Sequence, residues 1–362
     1  MEKSGAKQSG RDIDLGNKCS SNAFRWAQKS FLNRKGKDGE PLAGLEGAFS
    51  NVLNFRGRQF GISSDGIGTK VEIAERTGIY ESLGHDLVAM VVDDLAANGF
   101  EATDVSNILD VDYLDYDIVD KLMGGLWEAA ETAGVAISGG EIAELGSRVR
   151  GYGDAMHFNW CATAIGVLPD NLKKPVNGRG ITPGDIILLL KEKGMRSNGF
   201  SLARKILEKE LGKTWHQQGY NSQKTWGQML LIPSQIMCRI ITGMINAGLI
   251  PKGMAHITGG GIPDNLGRIL KMNGCGAILD HLFEPPDFVV QLQQMGGIPE
   301  KEAYRIWNMG NAFIIVADND DIDRIMKYFI LHNCMIRIAG KIDPTGKIKL
   351  SSRGAFPDEL VY

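Results

Sequence analysis

The chain has 362 residues with a formal net charge of −3 at pH 7, and 43% of its residues are hydrophobic. This length allows one large domain or two of ordinary size, each with a substantial core. The mixed, slightly acidic charge gives no general attraction to nucleic acid, and no apolar run approaches the roughly 20 residues that span a bilayer. We therefore expect neither a nucleic-acid partner nor a membrane anchor.

The five cysteines are scattered singly, without the spacing of a zinc site or the even count of a disulfide framework. Free thiols of this kind are typical of a reducing compartment. Residues 1–18 also lack the charged and then apolar layout of a secretion signal. The sequence therefore predicts a cytoplasmic protein.

Residues 1–40 are polar and predict an N-terminal arm, with one short helix around residues 20–32. After this arm, short β-rich runs alternate with longer helical windows, which favours an α/β or α+β fold. We predict strands over residues 60–63, 102–109, 136–138, 160–167, 185–190, 276–279 and 312–316. We predict helices over residues 84–98, 116–133, 201–211, 233–247, 262–270 and 320–332.

The stretch PDNLKKPVNGRGITPG, residues 169–184, is rich in proline, glycine and asparagine and lies between two apolar runs. Such a composition is typical of a linker between domains. The predicted organisation is an arm over residues 1–40, a first domain over 41–168, a linker over 169–184 and a second domain over 185–362.

Glycine makes up 46 of the 362 residues, against about 7% in ordinary proteins, and much of it is clustered. Clustered glycine indicates backbone that comes close to another group. One cluster, SSDGIGTK, contains Asp65 and ends in Lys70. It matches neither the P-loop nor the dinucleotide-binding pattern, and an ordinary Asp-Gly hairpin turn is the competing interpretation.

Acidic residues recur beside such glycines or at the ends of predicted elements. They are Asp65, Asp93 and Asp94 in MVVDDLAANG, and Glu141 with Glu144 in ISGGEIAELG. Magnesium prefers one or two carboxylates together with nucleotide phosphates, and glycine amides with Lys70 supply positive charge for those phosphates. Asp93 and Asp94 lie in a largely apolar helix, where a carboxylate is costly unless it is paired or metal-bound. The residues favour a nucleotide polyphosphate with its metal.

Two further glycine clusters lie in the second half of the chain. MRSNGFSLARKIL, residues 195–207, predicts an Asn-Gly turn before a helix whose N-terminal amides receive an anion, or else a capped helix start and nothing more. MAHITGGGIPDNLGRIL, residues 254–270, favours phosphate binding, because a purely structural loop rarely needs three consecutive glycines. We interpret His256 in this stretch as a hydrogen-bonded scaffold residue.

Eight segments, taken in order, resemble one known family. They are DIDLGN, SSDGIGTK, GHDLVAMVVDDLAANG, SGGEIAE, RSNGFSLARKIL, LLIPSQI, AHITGGGIPDNLGRIL and NMGNAFIIV. This order and spacing is similar to that of the phosphoribosylformylglycinamidine cyclo-ligases, also called aminoimidazole ribonucleotide synthetases. The match runs from about Lys7 to about Val316, which is most of the chain.

The resemblance implies an ATP-dependent ring closure in purine biosynthesis, with ATP and Mg²⁺ as cofactors. ATP would phosphorylate the formyl amide oxygen of formylglycinamidine ribonucleotide, and an internal nitrogen would then displace phosphate, giving aminoimidazole ribonucleotide. The implied fold has two α/β (α+β) domains, and the implied assembly is a homodimer in which strands of the N-terminal domains build a shared barrel.

The resemblance also assigns roles to residues of this sequence. Metal binding is implied for Asp65, Asp94 and Glu141. ATP binding is implied for Asp65, Gly66, Gly68, Thr69, Lys70, Asp94, Gly139 and Gly140. Substrate binding is implied for Ser197, Asn198, Gly199, Thr258, Gly259, Gly260 and Gly261. Catalytic roles are expected for Lys7, Asp12, Lys70 and Arg196, with Lys7 and Asp12 on an arm that closes over the triphosphate.

Two departures from the family pattern bear on this site. The family usually has Pro-His-Ser-Asn-Gly where this chain has Met195-Arg196-Ser197-Asn198-Gly199. Arginine cannot exchange a proton near neutral pH, so Arg196 is expected to clamp a phosphate instead. Asp93 stands where the family usually has asparagine, which adds negative charge beside Asp94.

These departures leave two alternatives open beside the cyclo-ligase. One is a paralogous phosphotransferase that passes the phosphate of ATP to a different small acceptor. The other is a non-catalytic member that only binds nucleotide, against which the presence of Asp65, Lys70, Asp94 and Glu141 argues.

Overall fold

The structure is a computed structural model that describes residues 13–42 and 48–362. The predicted site residues Lys7 and Asp12 therefore lie outside the described residues. Among those described, no helix combines the length and apolar character that crossing a membrane requires.

Two β-sheets divide the described chain between them. The first contains β1 (Glu40–Pro41), β2 (Asn51–Phe55), β3 (Arg58–Gly66), β4 (Glu101–Val111), β5 (Ala136–Glu144) and β6 (Phe158–Val167), in the order β1-β2-β3-β6-β4-β5. The second contains β7 (Ile186–Lys191), β8 (Gly253–His256), β9 (Gly276–Leu279), β10 (Asn311–Ala317), β11 (Ile336–Asp343), β12 (Ile348–Ser351) and β13 (Glu359–Val361), in the order β13-β12-β9-β11-β7-β10-β8. Neither sheet closes on itself as a barrel within the described residues.

The helices are distributed over both halves. The first half contains α1 (Ile13–Ser30), α2 (Val71–Thr77), α3 (Leu83–Ala97) and α4 (Tyr116–Ala133). The second contains α5 (Phe200–Leu211), α6 (Trp226–Leu230), α7 (Cys238–Asn246), α8 (Gly261–Leu270), α9 (Asp287–Gly296), α10 (Glu300–Ile306) and α11 (Ile322–Leu331). This mixture of helices and sheets agrees with the predicted α/β or α+β class.

Local sequence accounts for the best-predicted elements. The N-terminus of α4 is capped by Asp115, whose carboxylate accepts the Ile118 N–H at 3.1 Å, and the helix ends before Gly134 in the left-handed conformation. In the second sheet, all residues of β10 are buried, as expected for an apolar strand that is covered on both faces.

The first sheet has one covered and one open face. Its inner face packs against α3, where Gly61 of β3 leaves room for Leu95. Its outer face exposes apolar side chains, including Ile108 (46% exposed) and Ile165 (43%). Because successive strand residues point to opposite faces, Ser63 and Asp65 share the inner face with Gly61.

Helix α3 is held by an unusually close helix contact. A methyl group added at Gly84 of α3 would overlap the carbonyl group of Gly125 in α4. Glycine at both positions therefore lets the two backbones touch. This contact fixes α3, and with it Asp93 and Asp94, against the rest of the first domain.

The structure corrects three predicted boundaries. The strand expected over residues 136–138 continues to Glu144, and the strand expected over 60–63 continues to Gly66, so Glu141 and Asp65 lie in strands and not in loops. The short helix expected over 20–32 is instead the longer α1, followed by a 3₁₀ turn over Phe31–Arg34. Gly139 and Gly140 lie within β5, and a side chain at Gly140 would crowd Asn107 of the neighbouring β4.

Candidate active site

A cavity of about 600 Å³ lies between the two domains. The first domain contributes Gly68 and Thr69, and the second contributes residues 197–202 together with Gly259 and Gly260. Gly16, Ser20 and Ser21 of α1 form a third wall. A volume of this size is typical of a small-molecule site. Seven predicted site residues thus meet in one place: Gly68, Thr69, Ser197, Asn198, Gly199, Gly259 and Gly260.

Two helices of the second domain begin at this cavity. Gly199 precedes α5 and Gly260 precedes α8, and neither helix is capped by a side chain. Amide groups in the first turn of a helix and the helix dipole both favour an anion. The two helix starts therefore have features that favour a phosphate group, and phosphate binding at the two glycine clusters stays a prediction.

Gly261, however, has a structural explanation. Its φ is 63°, and a side chain there would overlap the carbonyl group of Tyr304. Only glycine fits this position comfortably, and Gly261 does not line the cavity. The expectation that a purely structural loop does not need all three glycines is thus weakened, because at least this one serves packing.

Three side chains that line the cavity were missed in the sequence. Asp264 and Arg268 lie one turn apart on α8, and Arg305 lies on α10. The Arg305 guanidinium is 3.7 Å from the Asp264 carboxylate, and that of Arg268 lies 4.5 Å from the centre of the Phe49 ring. Two arginines against one aspartate make this end of the cavity positive. The position of Arg268 beside Asp264 on the helix that follows the triple glycine was the only available signal.

Asp65 of β3 and Asp94 of α3 both lie on the inner side of the first sheet. The Ser63 hydroxyl donates to Asp94 Oδ2 at 3.3 Å, and Asp65 is the next residue of β3 that points to the same face as Ser63. Gly68 and Thr69, which line the cavity, come shortly after Asp65 in the chain. Carboxylates are the donors that Mg²⁺ takes together with a nucleotide, so these residues fit the predicted metal.

Asp94 also pairs with His256 across the domain boundary. Asp94 Oδ1 and His256 Nδ1 are 2.8 Å apart, and His256 is fully buried. Burial raises the pKa of Asp94 to about 7 and lowers the pKa of His256 to about 3. The interpretation of His256 as a hydrogen-bonded scaffold residue agrees with this contact.

Glu141 lies elsewhere. In the sheet register Glu141 is paired with Ile108, Ile108 with Cys161, and Cys161 with Gly66. These four residues form one row across the sheet, and this row belongs to the outer face. Asp65 belongs to the neighbouring row, which points inward. Within the described residues, no three or more His, Cys, Asp or Glu side chains approach closely enough to hold a metal ion. A single chain therefore does not assemble Asp65, Asp94 and Glu141 into one site.

Gly139 and Gly140 accompany Glu141 on the exposed strand β5. They do not line the cavity between the domains, and neither do Gly66 and Thr258. Their predicted contacts with ATP or substrate are not represented in the arrangement of this single chain.

Lys70 does not reach the cavity. Its side chain is 0% exposed, and Nζ lies 2.6 Å from Asp86 Oδ2 and donates to the Ile232 carbonyl at 2.9 Å. Burial lowers the pKa of Lys70 below its ordinary value, although Asp86 acts in the opposite direction. The sequence suggested that Lys70 contacts a nucleotide directly. In the structure Lys70 instead forms a buried ion pair with Asp86.

Arg196 is likewise buried, with 0% exposure. Its guanidinium donates to Asp93 at 2.7 Å, to Glu192 at 2.9 Å and to the Gln235 carbonyl at 3.0 Å. These carboxylates outweigh the effect of burial and raise the pKa of Arg196. The expected phosphate clamp is therefore corrected: the guanidinium is occupied by carboxylates under the cavity wall.

Comparisons with known proteins agree with this architecture. Residues 49–168 match the family model "AIR synthase related protein, N-terminal domain", and residues 182–352 match "AIR synthase related protein, C-terminal domain". A phosphoribosylformylglycinamidine cyclo-ligase of Sorangium cellulosum is 32% identical over 97% of this chain and 98% of its own length. The enzyme of that name from Pyrococcus horikoshii is 33% identical over 91% of this chain and 92% of its own.

Solved structures share the fold at much lower identity. A crystal structure of a HypE–HypF complex aligns with a TM-score of 0.61 and 17% identity over 93% of this chain and 98% of that one. The structure of AaThiL complexed with AMPPCP and TMP aligns with a TM-score of 0.60 and 13% identity, over 88% of this chain and 92% of that one. The structure of T. maritima PurL complexed with ADP aligns with a TM-score of 0.58 and 16% identity, over 92% of this chain and 47% of that one. With both family models and relatives above 30% identity along nearly its whole length, the chain belongs to the phosphoribosylformylglycinamidine cyclo-ligase family.

Proposed function

We propose that this protein closes the imidazole ring of aminoimidazole ribonucleotide from formylglycinamidine ribonucleotide, with conversion of ATP to ADP and phosphate. The observation that carries the proposal is the convergence of the family's glycine segments on one interdomain cavity in a chain that is 32% identical to a named cyclo-ligase. The formyl amide oxygen is a poor leaving group, and phosphorylation makes it a good one. An internal nitrogen of the substrate then attacks the formyl carbon, and phosphate leaves as the ring closes.

The positive end of the cavity is assigned to the ribose phosphate of the substrate. Arg268 and Arg305 supply charge, and the first turns of α5 and α8 supply amide donors. The Ser197 hydroxyl and the Asn198 amide have polar atoms without a hydrogen-bond partner in the described chain. Buried polar groups of this kind are normally satisfied, which supports a bound ligand as their partner.

Asp65 and Asp94 are assigned to Mg²⁺, which neutralises charge on the transferring phosphoryl group when it is bound. Asp94 is oriented by Ser63 and His256. The fold neighbours that contain AMPPCP or ADP support a nucleotide site in this architecture. Lys70 and Asp86 act as a buried ion pair that joins the turn after β3 to α3, and Lys70 also donates to the carbonyl of Ile232 in the second domain.

We also propose a homodimer that pairs the outer faces of two first sheets into a shared barrel. The exposed Ile108 and Ile165 support it, since a soluble enzyme gains by covering such a face. Strand β5 is the end strand of its sheet and exposed along its length, and such an edge invites another strand. In this assembly, Glu141 of one chain serves the nucleotide site of the other.

The paralogue with a different acceptor has lost its main support. It rested on Arg196 and Asp93, and these two residues pair with one another below the cavity wall. We further propose that the protein acts in the cytoplasm, and its five free thiols are compatible with that reducing compartment.

The assay uses purified protein with ATP, Mg²⁺ and formylglycinamidine ribonucleotide. We expect one ADP for each aminoimidazole ribonucleotide formed, and no product when Mg²⁺ is removed with a chelator. ADP formation without the aminoimidazole would reject ring closure as the activity, and no response to either substrate would reject the proposal as a whole.

A further inference from the structure

Arg196 connects three separate parts of the chain. It lies just after β7, it reaches Asp93 on α3 of the other domain at 2.7 Å, and it donates to the Gln235 carbonyl at 3.0 Å. The same guanidinium also donates to the Glu192 carboxylate at 2.9 Å. Asp93 is itself fixed, because its second oxygen accepts the amides of Met237 and Cys238, each at 2.8 Å.

The backbone of Arg196 adopts a conformation that a non-glycine residue avoids. Its φ is 54°, in the left-handed region, which is costly for a large side chain. Such a conformation persists when surrounding contacts over-determine it. The ion pairs with Asp93 and Glu192 are those contacts, and they act on the residue directly before Ser197.

The segment that follows is the wall of the cavity. Ser197, Asn198 and Gly199 line it, and the Ser197 hydroxyl oxygen and Asn198 amide nitrogen make no hydrogen bond within the described chain. Thr69 of the first domain meets Ser201 of this wall at 3.0 Å between their hydroxyl oxygens. The arrangement of this wall therefore depends on how residue 196, which directly precedes it, is held.

The two charges depend on each other. Both side chains are fully buried. Replacing Arg196 leaves the buried carboxylates of Asp93 and Glu192 without their shared cation, and replacing Asp93 leaves Arg196 with Glu192 alone. Replacing Asp93 and Arg196 together removes one positive and one negative charge at once.

Resting on the proposed function, we propose that Arg196 is a positioning residue for the ribonucleotide site. By pairing with Asp93 across the domain boundary, it holds residues 197–199 in the arrangement that receives the substrate. Asp93 and Arg196 form one unit, so that either replacement alone impairs substrate binding and the double replacement restores it.

The test compares Arg196→His, Asp93→Asn and the double variant by steady-state kinetics. Each single variant is expected to raise the KM for formylglycinamidine ribonucleotide by about tenfold or more, with the KM for ATP changed less than about twofold. The double variant is expected to return within about threefold of the parent. Arg324→His is the matched control, since Arg324 forms an exposed pair with Asp321 far along the chain on α11.

A second readout needs no turnover. Amide hydrogen exchange over residues 195–201 is expected to quicken at least about tenfold in Arg196→His and to recover in the double variant. If the parent makes no aminoimidazole, the proposed function fails while this measurement still tests the role of Arg196. Should Arg196→His not fold, Arg196→Lys, which cannot bridge both carboxylates, carries the same expectation for KM and exchange.

Unchanged ribonucleotide KM and exchange in the single variants would overturn the proposal. So would a double variant as impaired as Arg196→His, because the two residues would then act independently. Equal loss of affinity for ATP and ribonucleotide would also overturn it, since that pattern reports general destabilisation and not the position of one wall.

Discussion

The inner and outer faces of the first sheet present acidic residues to different surroundings. On the inner side, Asp94 is half-buried and contacts Ser63 and His256. On the outer side, Glu141 is exposed on an end strand in the same row as the exposed Ile108. The inner carboxylate has its partners within one chain, whereas the outer carboxylate faces solvent in the single chain.

Under the proposed homodimer, this difference separates what one chain does alone from what requires a second copy. Strand alternation separates Asp65 from Glu141 however the loops move, because their side chains belong to opposite faces of one sheet. A site that uses both therefore has to bring two sheets together. The following experiments test the two faces separately.

Asp94→Asn is expected to have the largest effect. It keeps the shape of the side chain but removes the charge that Mg²⁺ requires, so kcat/KM should fall by more than about 100-fold, mainly through lost nucleotide binding. Titration calorimetry with Mg²⁺ and a non-hydrolysable ATP analogue measures that loss. Asp321→Asn is the control, since Asp321 lies in the turn just before α11 and pairs with the exposed Arg324; undiminished binding in Asp94→Asn would refute the metal assignment.

Glu141→Gln is expected to lower activity by about 10- to 100-fold. If Glu141 serves the partner's site, mixing this variant with Asp94→Asn under conditions of subunit exchange should restore about a quarter of parental activity, because half the dimers are mixed and each of these has one intact site. The rate of product formation after mixing is the measurement. No recovery would place both residues in the same site of one chain and contradict the shared arrangement.

The smallest expected effect is on pH dependence. The pKa of Asp94 is raised to about 7 by burial, so the carboxyl group holds a proton below that pH and must release it to bind a cation. Mg²⁺-nucleotide affinity should therefore weaken as the pH falls, by about fivefold from pH 7 to pH 6. Calorimetry at these pH values checks it, and a flat profile, or one that persists in Asp94→Asn, would exclude Asp94 as the titrating ligand.

Sequence reasoning performed best where the signals are local. The bounds of α4 agree with the predicted 116–133, because Asp115 and Gly134 mark its ends, and β9 (Gly276–Leu279) also agrees with its predicted span. The motif order led to the family and to most of the cavity wall. These features depend on neighbours within a few residues or on the order of segments, and both are visible in one sequence.

Sequence reasoning failed for side chains whose hydrogen-bond or ion-pair partner is distant in the chain. Arg196 and Asp93 are 103 positions apart, and nothing local shows that each neutralises the other. Lys70 was assigned to the nucleotide for the same reason, since Asp86 is its partner only in the fold. Arg305 carried no recognisable signal, because it reaches the cavity from a helix outside every motif.

The glycine contact between α3 and α4 makes the position of Asp93 and Asp94 depend on two residues, Gly84 and Gly125, that take no part in the reaction. Any side chain at Gly84 or Gly125 would wedge the helices apart and tilt the segment on which Asp93 and Asp94 are mounted. In a random-mutagenesis screen, such a lesion would look like damage to the reaction centre itself. Efforts to evolve this enzyme toward new acceptors therefore have to leave that helix crossing alone while they vary the wall at Ser197 and Asn198.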